Sequence, residues 1–376
     1  MDITVPMPLL PPLASRQTLL RLSETLVIGA IGGAILNYAG IPAGWLSGSM
    51  IFVAIAALAG RPMVMPAPLG RVVFVLIGIS LGGAVTPETL KGIATWPLSV
   101  VLLCVGMTCS TFGSAWYLRK VHGWDMLSAL FGSAPGALSQ VIVNATQCHS
   151  DLRAIAIVQT IRVVILTALL PVGLALFGLI PPAPTRSFAI TDSIPELAIL
   201  VVVAGVSSFI AHKARFPGGL IFGAMLASAV LHGSGLIHAA MPWWIVSAVM
   251  VALGALTGSR FANTQMRTLL SYCLAALGSF SVAILIISVF AAMSAWLVNL
   301  QLSDIIVSYA PGALDAMMIL ALALHLDPIF VGAHHVARFI LISLSLPLFV
   351  KMYGKAPTAP LKTPPKLPEK RPVQED

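Results

Sequence analysis

Twelve apolar stretches follow one another along this chain, joined by short polar loops. They fall at 22–39, 43–60, 69–85, 95–118, 124–148 and 153–180, then at 194–211, 217–232, 241–259, 269–298, 303–325 and 328–350. A helix that crosses a bilayer needs about 20 apolar residues, and most of these runs come close. Of the 376 residues, 58% are hydrophobic and only 9% are charged; a soluble domain carries roughly 25% charged residues. Such a chain cannot cover a globule of its size with polar side chains. Lipid is its solvent, and helices are the elements that satisfy their own backbone there. The class read from this is an all-α polytopic membrane protein.

The net charge of +8 follows from 21 Lys and Arg against 13 Asp and Glu. In loops between apolar helices, Lys and Arg report mainly which loops stay cytoplasmic. The segment 351–376 holds six Lys or Arg and six Pro. It reads as a disordered cytoplasmic tail that touches anionic lipid, with no nucleic acid expected as a partner. Residues 1–21 form a cytoplasmic N-terminal segment. Its first part lacks the charged start and apolar run of a cleaved signal peptide. The four cysteines form no CxxC pair and read as small buried hydrophobes.

A Pro-rich linker at 181–193 divides two membrane repeats, 22–180 and 194–350. Pro42-Ala43-Gly44-Trp45-Leu46-Ser47-Gly48-Ser49-Met50 aligns with Pro217-Gly218-Gly219-Leu220-Ile221-Phe222-Gly223-Ala224-Met225 at an offset of 175. Ala134-Pro135-Gly136-Ala137-Leu138 aligns with Ala310-Pro311-Gly312-Ala313-Leu314 at 176. At that offset His149 meets His325, Asp151 meets Asp327, Arg162 meets Arg338, Pro171 meets Pro347, and Gly78 and Gly82 meet Gly254 and Gly258. Chance apolar similarity matches Leu with Val, not Arg with Arg, so the halves arose by duplication.

The paired APGAL segments, each followed by a helix with a single Arg, resemble the bacterial AbrB-type membrane duplication family, from about Glu24 to Val350. Members carry two inherited labels, ammonia monooxygenase and regulator of gene expression. The resemblance implies a multi-pass protein of the bacterial inner membrane, and leaves open a homodimer. The family is also distantly similar to inverted-repeat cation/proton antiporters and anion symporters, by analogy of fold.

Charge placement favours inverted repeats: about ten crossing helices plus two broken, re-entrant APG segments. With the N-terminus cytoplasmic, Arg16, Arg21, Arg61, Arg71, Arg119 and Lys120 lie inside. If 124–148 enters and returns on one side, Arg153, Lys213, Arg215, Arg260, Arg267 and the tail are inside as well, with both termini cytoplasmic. Only Lys91 and Arg186 are then misplaced. Had 124–148 crossed, the four basic residues from Lys213 to Arg267 would face outward, against the positive-inside rule.

Pro and Gly in the middle of 124–148 and 303–325 break the helix and free backbone groups, which at membrane depth need protein or a water-filled cavity. Paired breaks at equivalent places are the best sequence pointer to a transporter site. Pro135 and Pro311 suit a first helical position. The N–H groups of Gly136, Ala137, Gly312 and Ala313 would then point into the breaks and form an anion cradle. Close packing of kinked helices is the plainer alternative.

Arg162 and Arg338 are costly at bilayer depth and should face a cavity, a counter-charge or a substrate anion. Asp315 is the carboxylate set well inside an apolar run, where the first half has Ser139. It is a candidate for ion coupling, or else neutralises an Arg. His335 shares a helix face with Arg338, matches Gln159, and is a candidate proton relay or a plain hydrogen-bond donor. Gln140 and Asn144, four apart, offer amides to a substrate or serve as helix glue. Gly29-Ala30-Ile31-Gly32-Gly33 and Gly78-Ile79-Ser80-Leu81-Gly82 are close-approach patterns.

These residues point to a secondary transporter for a small organic anion, coupled to H⁺ or Na⁺. It is not read as an enzyme and needs no cofactor. The alternative is a membrane regulator without net transport. The monooxygenase label is disfavoured because the eight His are scattered and form no ligand cluster with carboxylates. ATP-driven pumping is disfavoured by the lack of a P-loop. The inverted topology predicts that single cysteines replacing Lys91 and Lys213, in a cysteine-free background, label from opposite faces of the membrane. Labelling of both from the periplasm would exclude it.

Overall fold

The computed structural model describes residues 16–84, 96–135, 138–148, 150–181, 193–239, 241–262, 264–298 and 300–353. The tail, the linker interior and the Lys91 loop fall outside these residues. Among them are fourteen α-helices and no strand. The first seven are α1 (Arg16–Tyr38), α2 (Gly44–Leu58), α3 (Ala67–Gly83), α4 (Trp96–His122), α5 (Met126–Ser133), α6 (Leu138–Gln147) and α7 (Leu152–Leu176). The second seven are α8 (Ile194–Lys213), α9 (Gly219–Gly233), α10 (Trp243–Gly258), α11 (Met266–Val298), α12 (Leu302–Tyr309), α13 (Leu314–Ala323) and α14 (Pro328–Tyr353). Helices α12 and α13 begin and end 176 residues after α5 and α6.

Among the described residues, seven helices are long and apolar enough to cross a bilayer: α1, α4, α7, α8, α10 with its short 3₁₀ extension to Phe261, α11 and α14. Helices α2, α3 and α9 are apolar but of 15, 17 and 15 residues. At 1.5 Å per residue they span roughly 22–26 Å, shorter than the ~30 Å hydrocarbon core. The two apolar runs read from the sequence as broken, 124–148 and 303–325, are each two short helices, α5 with α6 and α12 with α13. Helices α1, α8 and α11 turn large apolar residues outward, among them Ile31, Val202, Phe209, Leu274 and Leu285. Cys109 is exposed on α4, unlike the small buried hydrophobe expected there.

The halves interlock through small residues. Helix α3 packs along α9, and α10 packs along α2. A Cβ on Gly78 or Gly82 would strike Ile221 O or Met225 O of α9; one on Gly254 or Gly258 would lie 2.5 Å from Leu46 O or 2.6 Å from Met50 O of α2. Leu46 and Met50 are the repeat counterparts of Ile221 and Met225. Each half therefore lends its glycine helix to the other's second helix, a reciprocal exchange of the kind a two-fold axis produces. Serine hydroxyls tie both contacts: Ser49 Oγ donates to Val251 O at 2.7 Å and Ser228 Oγ to Ile79 O at 2.8 Å.

The turn before α2 holds Gly40 (φ 75°) and Ala43 (φ 54°) in the left-handed region; the turn before α9 holds Arg215 (φ 58°) and Gly218 (φ 63°) at the matching places. One turn geometry is kept, and each half puts glycine, the residue this region favours, at a different one of its two positions.

A second bundle stands beside the first. Helices α4 and α11 pack lengthwise, α7 lies against α11, and α14 lies against α4. The short pairs α5–α6 and α12–α13 are held inside it by α7 and α14. Valine at Gly78 or Gly254 should abolish the monodisperse folded peak in size-exclusion chromatography, since overpacking costs about 1–3 kcal/mol or more. Valine at Gly205, which has open space around it, should not.

Candidate functional site

Helix α5 ends at Ser133 and α12 at Tyr309, each running into an extended residue, Ala134 or Ala310. A helix end strands its last four carbonyls, and here they are stranded inside an apolar bundle. The following long helix supplies the missing donors. Arg162 Nη1 and Nη2 donate to Ser133 O at 3.0 Å and Ala134 O at 3.1 Å. Arg338 Nη1 and Nη2 donate to Ala310 O at 2.6 Å and Gly312 O at 2.7 Å. Both side chains are buried, Arg338 to 1% exposure. One turn earlier, Gln159 Nε2 donates to Phe131 O at 2.7 Å, and His335 Nε2 sits 3.2 Å from Val307 O. Phe131 and Val307 are repeat counterparts, so Gln159 and His335 do the same work in their halves.

These contacts give each buried arginine a backbone task. Its positive end faces the partial negative charge of a helix C-terminus, and its fork engages two carbonyls at once. The Nε–H of both arginines, His335 Nδ1, Ser133 Oγ and Ser308 Oγ are buried with no partner among the described residues. Polar capacity therefore remains around the breaks after the backbone is satisfied.

The starts of the second short helices differ from expectation. Pro311 is not the first helical residue: α13 begins at Leu314, with Ala313 extended (φ −75°, ψ 142°) as its cap. The Gly312 N–H is taken by Ala310 O at 2.8 Å, because the link folds back on itself before the helix begins. The open donors of α13 thus lie at and after Leu314. Helix α6 likewise begins at Leu138. Gly136 and Ala137 lie outside the described residues, as do the side chains of Ser139 and Gln140. Asn144 is half-buried on α6.

Asp315 stands in the first turn of α13, where its charge suits the helix dipole. Its partner is Arg260, at 3.8 Å, and neither side chain is fully buried. Arg260 comes from the 3₁₀ turn after α10, so the pair joins the interlocked bundle to the helices of the break. Sequence reading placed Arg260 among the loop charges and missed this role. No local signal marks it, since the first half has Ala84 at that place.

The re-entry ends are also tied in duplicate. The Asp151 N–H donates to Ser128 Oγ at 3.1 Å, and the Asp327 N–H to Asp304 Oδ1 at 2.9 Å. Asp151 Oδ1 accepts the Ala154 N–H as N-cap of α7; Asp327 Oδ1 accepts the N–H groups of Ile329 and Phe330 at the start of α14. The duplicated aspartates are thus caps of the arginine-bearing helices.

With the duplicated, arginine-clamped breaks in view, comparison with known proteins is direct. The sequence profile of the AbrB family, described as transition state regulatory protein AbrB, matches residues 45–354. The chain belongs to this family. It is similar to the uncharacterized protein YhjN of Bacillus subtilis, 27% identical over 356 residues, covering 87% of this chain and 91% of that protein. It is also similar to a protein of Escherichia coli provisionally named as regulator AbrB, 24% identical over 318 residues, covering 83% and 90%.

The clamp makes a stability prediction. Arg162→Leu or Arg338→Leu orphans two buried carbonyls at about 1–3 kcal/mol each, so each variant should lose about 2–6 kcal/mol. Melting in detergent should fall sharply. Arg338→Lys, which keeps charge but not the fork, should fall between. An unchanged melting temperature in the leucine variants would rule the clamp out as a structural element.

Proposed function

We propose that this AbrB-family membrane protein is a secondary transporter that moves a small organic anion, coupled to H⁺ or Na⁺. The observation that carries the reading is the pair of equivalent breaks, each clamped by a buried arginine. Broken helices at membrane depth are costly, and in transporters they build the substrate site. Two guanidinium groups with Nε–H to spare, together with the start of a short helix, favour negative charge. A carboxylate suits such donors because it accepts more than one at once.

Asp315 fits the coupling role. Its bond to Arg260 is long and partly solvated, hence weak, and it links the two bundles. A proton or Na⁺ on the carboxylate releases Arg260, and the bundles then move relative to one another. The regulatory description of the family is compatible with this reading where the moved metabolite itself controls expression.

A panel of mono-, di- and tricarboxylates screened by thermal shift on the purified full chain identifies the substrate. An anion present at 100 times its Kd stabilises by about 2.7 kcal/mol, a readily measured shift. In proteoliposomes the same anion should accumulate against a pH or Na⁺ gradient. Asp315→Asn should retain binding and lose at least tenfold of gradient-driven uptake. Absence of any shift and any uptake across the panel would overturn the transport reading.

A further inference from the structure

His334 is fully buried on α14, and the breaks do not use it. Its Nδ1 lies 2.8 Å from Phe330 O, one turn back on its own helix. Its Nε2 lies 2.8 Å from Ser99 Oγ on α4. Ser99 Oγ is also 2.9 Å from Trp96 O, and Ser99 O accepts the Tyr309 hydroxyl from α12. The Phe330 ring packs at 4.0 Å from the imidazole, and Trp96 packs edge-on to Phe330 at 5.6 Å.

The proton positions follow from the partners. A carbonyl only accepts, so Nδ1 carries a hydrogen towards Phe330 O. In the neutral ring Nε2 is then a bare lone pair, and the Ser99 hydroxyl donates to it. If a proton adds to Nε2, the new N–H donates to Ser99 Oγ, and the hydroxyl hydrogen rotates to Trp96 O. Every polar group is paired in both states, and the Phe330 face receives the added charge. His335, by contrast, has one partnered nitrogen and one bare one.

The fold does not require the network. At the repeat-equivalent places of His334, Ser99 and Tyr309 stand Val158, Ala275 and Ser133. Val158 belongs to an apolar cluster there. One copy of the junction thus lacks the imidazole and the bridging hydroxyl, and the other holds both. Titratable groups near His334 are His335 and Arg338 on α14 and Tyr309 on α12, with Cys104 of α4 beside Tyr309.

We propose that His334, set between Phe330 O and the rotating hydroxyl of Ser99, is a proton-binding site of this protein. As the coupling proton it rests on the transport reading; as a proton site it does not. The balance is simple: a hydronium ion gives up one O–H bond and leaves as water, its proton forms the Nε2–H bond, no oxidation state changes, and one hydroxyl hydrogen changes acceptor.

The test is ¹⁵N imidazole NMR of the histidine-labelled full chain in lipid nanodiscs, across a pH series, with His334 assigned by its loss in His334→Gln. His334 should hold its hydrogen on Nδ1 at high pH and gain a second on Nε2 as pH falls, with the helical circular dichroism unchanged. Ser99→Ala keeps the imidazole, removes the re-pairing hydroxyl, and should lower the midpoint by at least one pH unit. It also supplies the assignment by its shift if His334→Gln fails to fold. A neutral tautomer with hydrogen on Nε2, a ring singly protonated throughout the folded range, or an unmoved midpoint in Ser99→Ala each overturns the proposal. None depends on a transported substrate, so failure of uptake and failure of this site are read separately.

Discussion

A helix interrupted within a bilayer leaves carbonyl groups with no water to accept from, and the structure is arranged around that deficit. In both halves the repair is the same. The long helix that follows the break sends back a guanidinium fork, plus an amide or imidazole one turn earlier, onto the carbonyls where the first short helix ends. The repair holds only if the long helix lies at a set depth and rotation against the short one. The aspartate caps at the re-entry ends supply that register, through Ser128 in one half and Asp304 in the other. Burial of an arginine, costly alone, becomes the means by which the break is kept.

Around this centre the halves trade partners rather than folding side by side. Gly78 and Gly82 admit the backbone of α9, and Gly254 and Gly258 admit that of α2. Without a hydrophobic drive between helices in lipid, close backbone approach and the Ser49 and Ser228 hydroxyls provide the attraction. The glycine interlock builds one bundle and the arginine clamps the other. The Arg260–Asp315 pair is a link between them that a single charge change breaks, which is why it suits coupling in the proposed transport.

Duplication also makes the departures from symmetry informative. Gln159 and His335 share a task, and so do Ser128 and Asp304; the chemistry differs but the donor and acceptor roles do not. Asp315 and the Ser99–His334–Tyr309 network have no polar counterpart that does the same work. At the matching places stand Ser139 for Asp315, and Ala275, Val158 and Ser133 for Ser99, His334 and Tyr309.

The all-α membrane class was legible in the sequence because burial in lipid depends on composition and run length. The duplication, the two breaks and the burial of Arg162 and Arg338 were legible because rare residues recurred at one offset. Which atoms the arginines engage was not, since a guanidinium serves a carboxylate or a pair of carbonyls equally well on paper. Pro311 looked like a helix start, yet the chain needed three more residues to turn before α13. Arg260 looked like a loop charge, and His335 looked more functional than His334. Arg260 and His334 met their partners through tertiary contact between segments far apart in the chain, 55 residues for Arg260 and Asp315 and 235 for Ser99 and His334, whereas the turn after Pro311 is local, closed by the Gly312 N–H on Ala310 O. Sequence determined that the chain breaks its helices inside a membrane, twice and alike; only the fold decided which partner each freed polar group received.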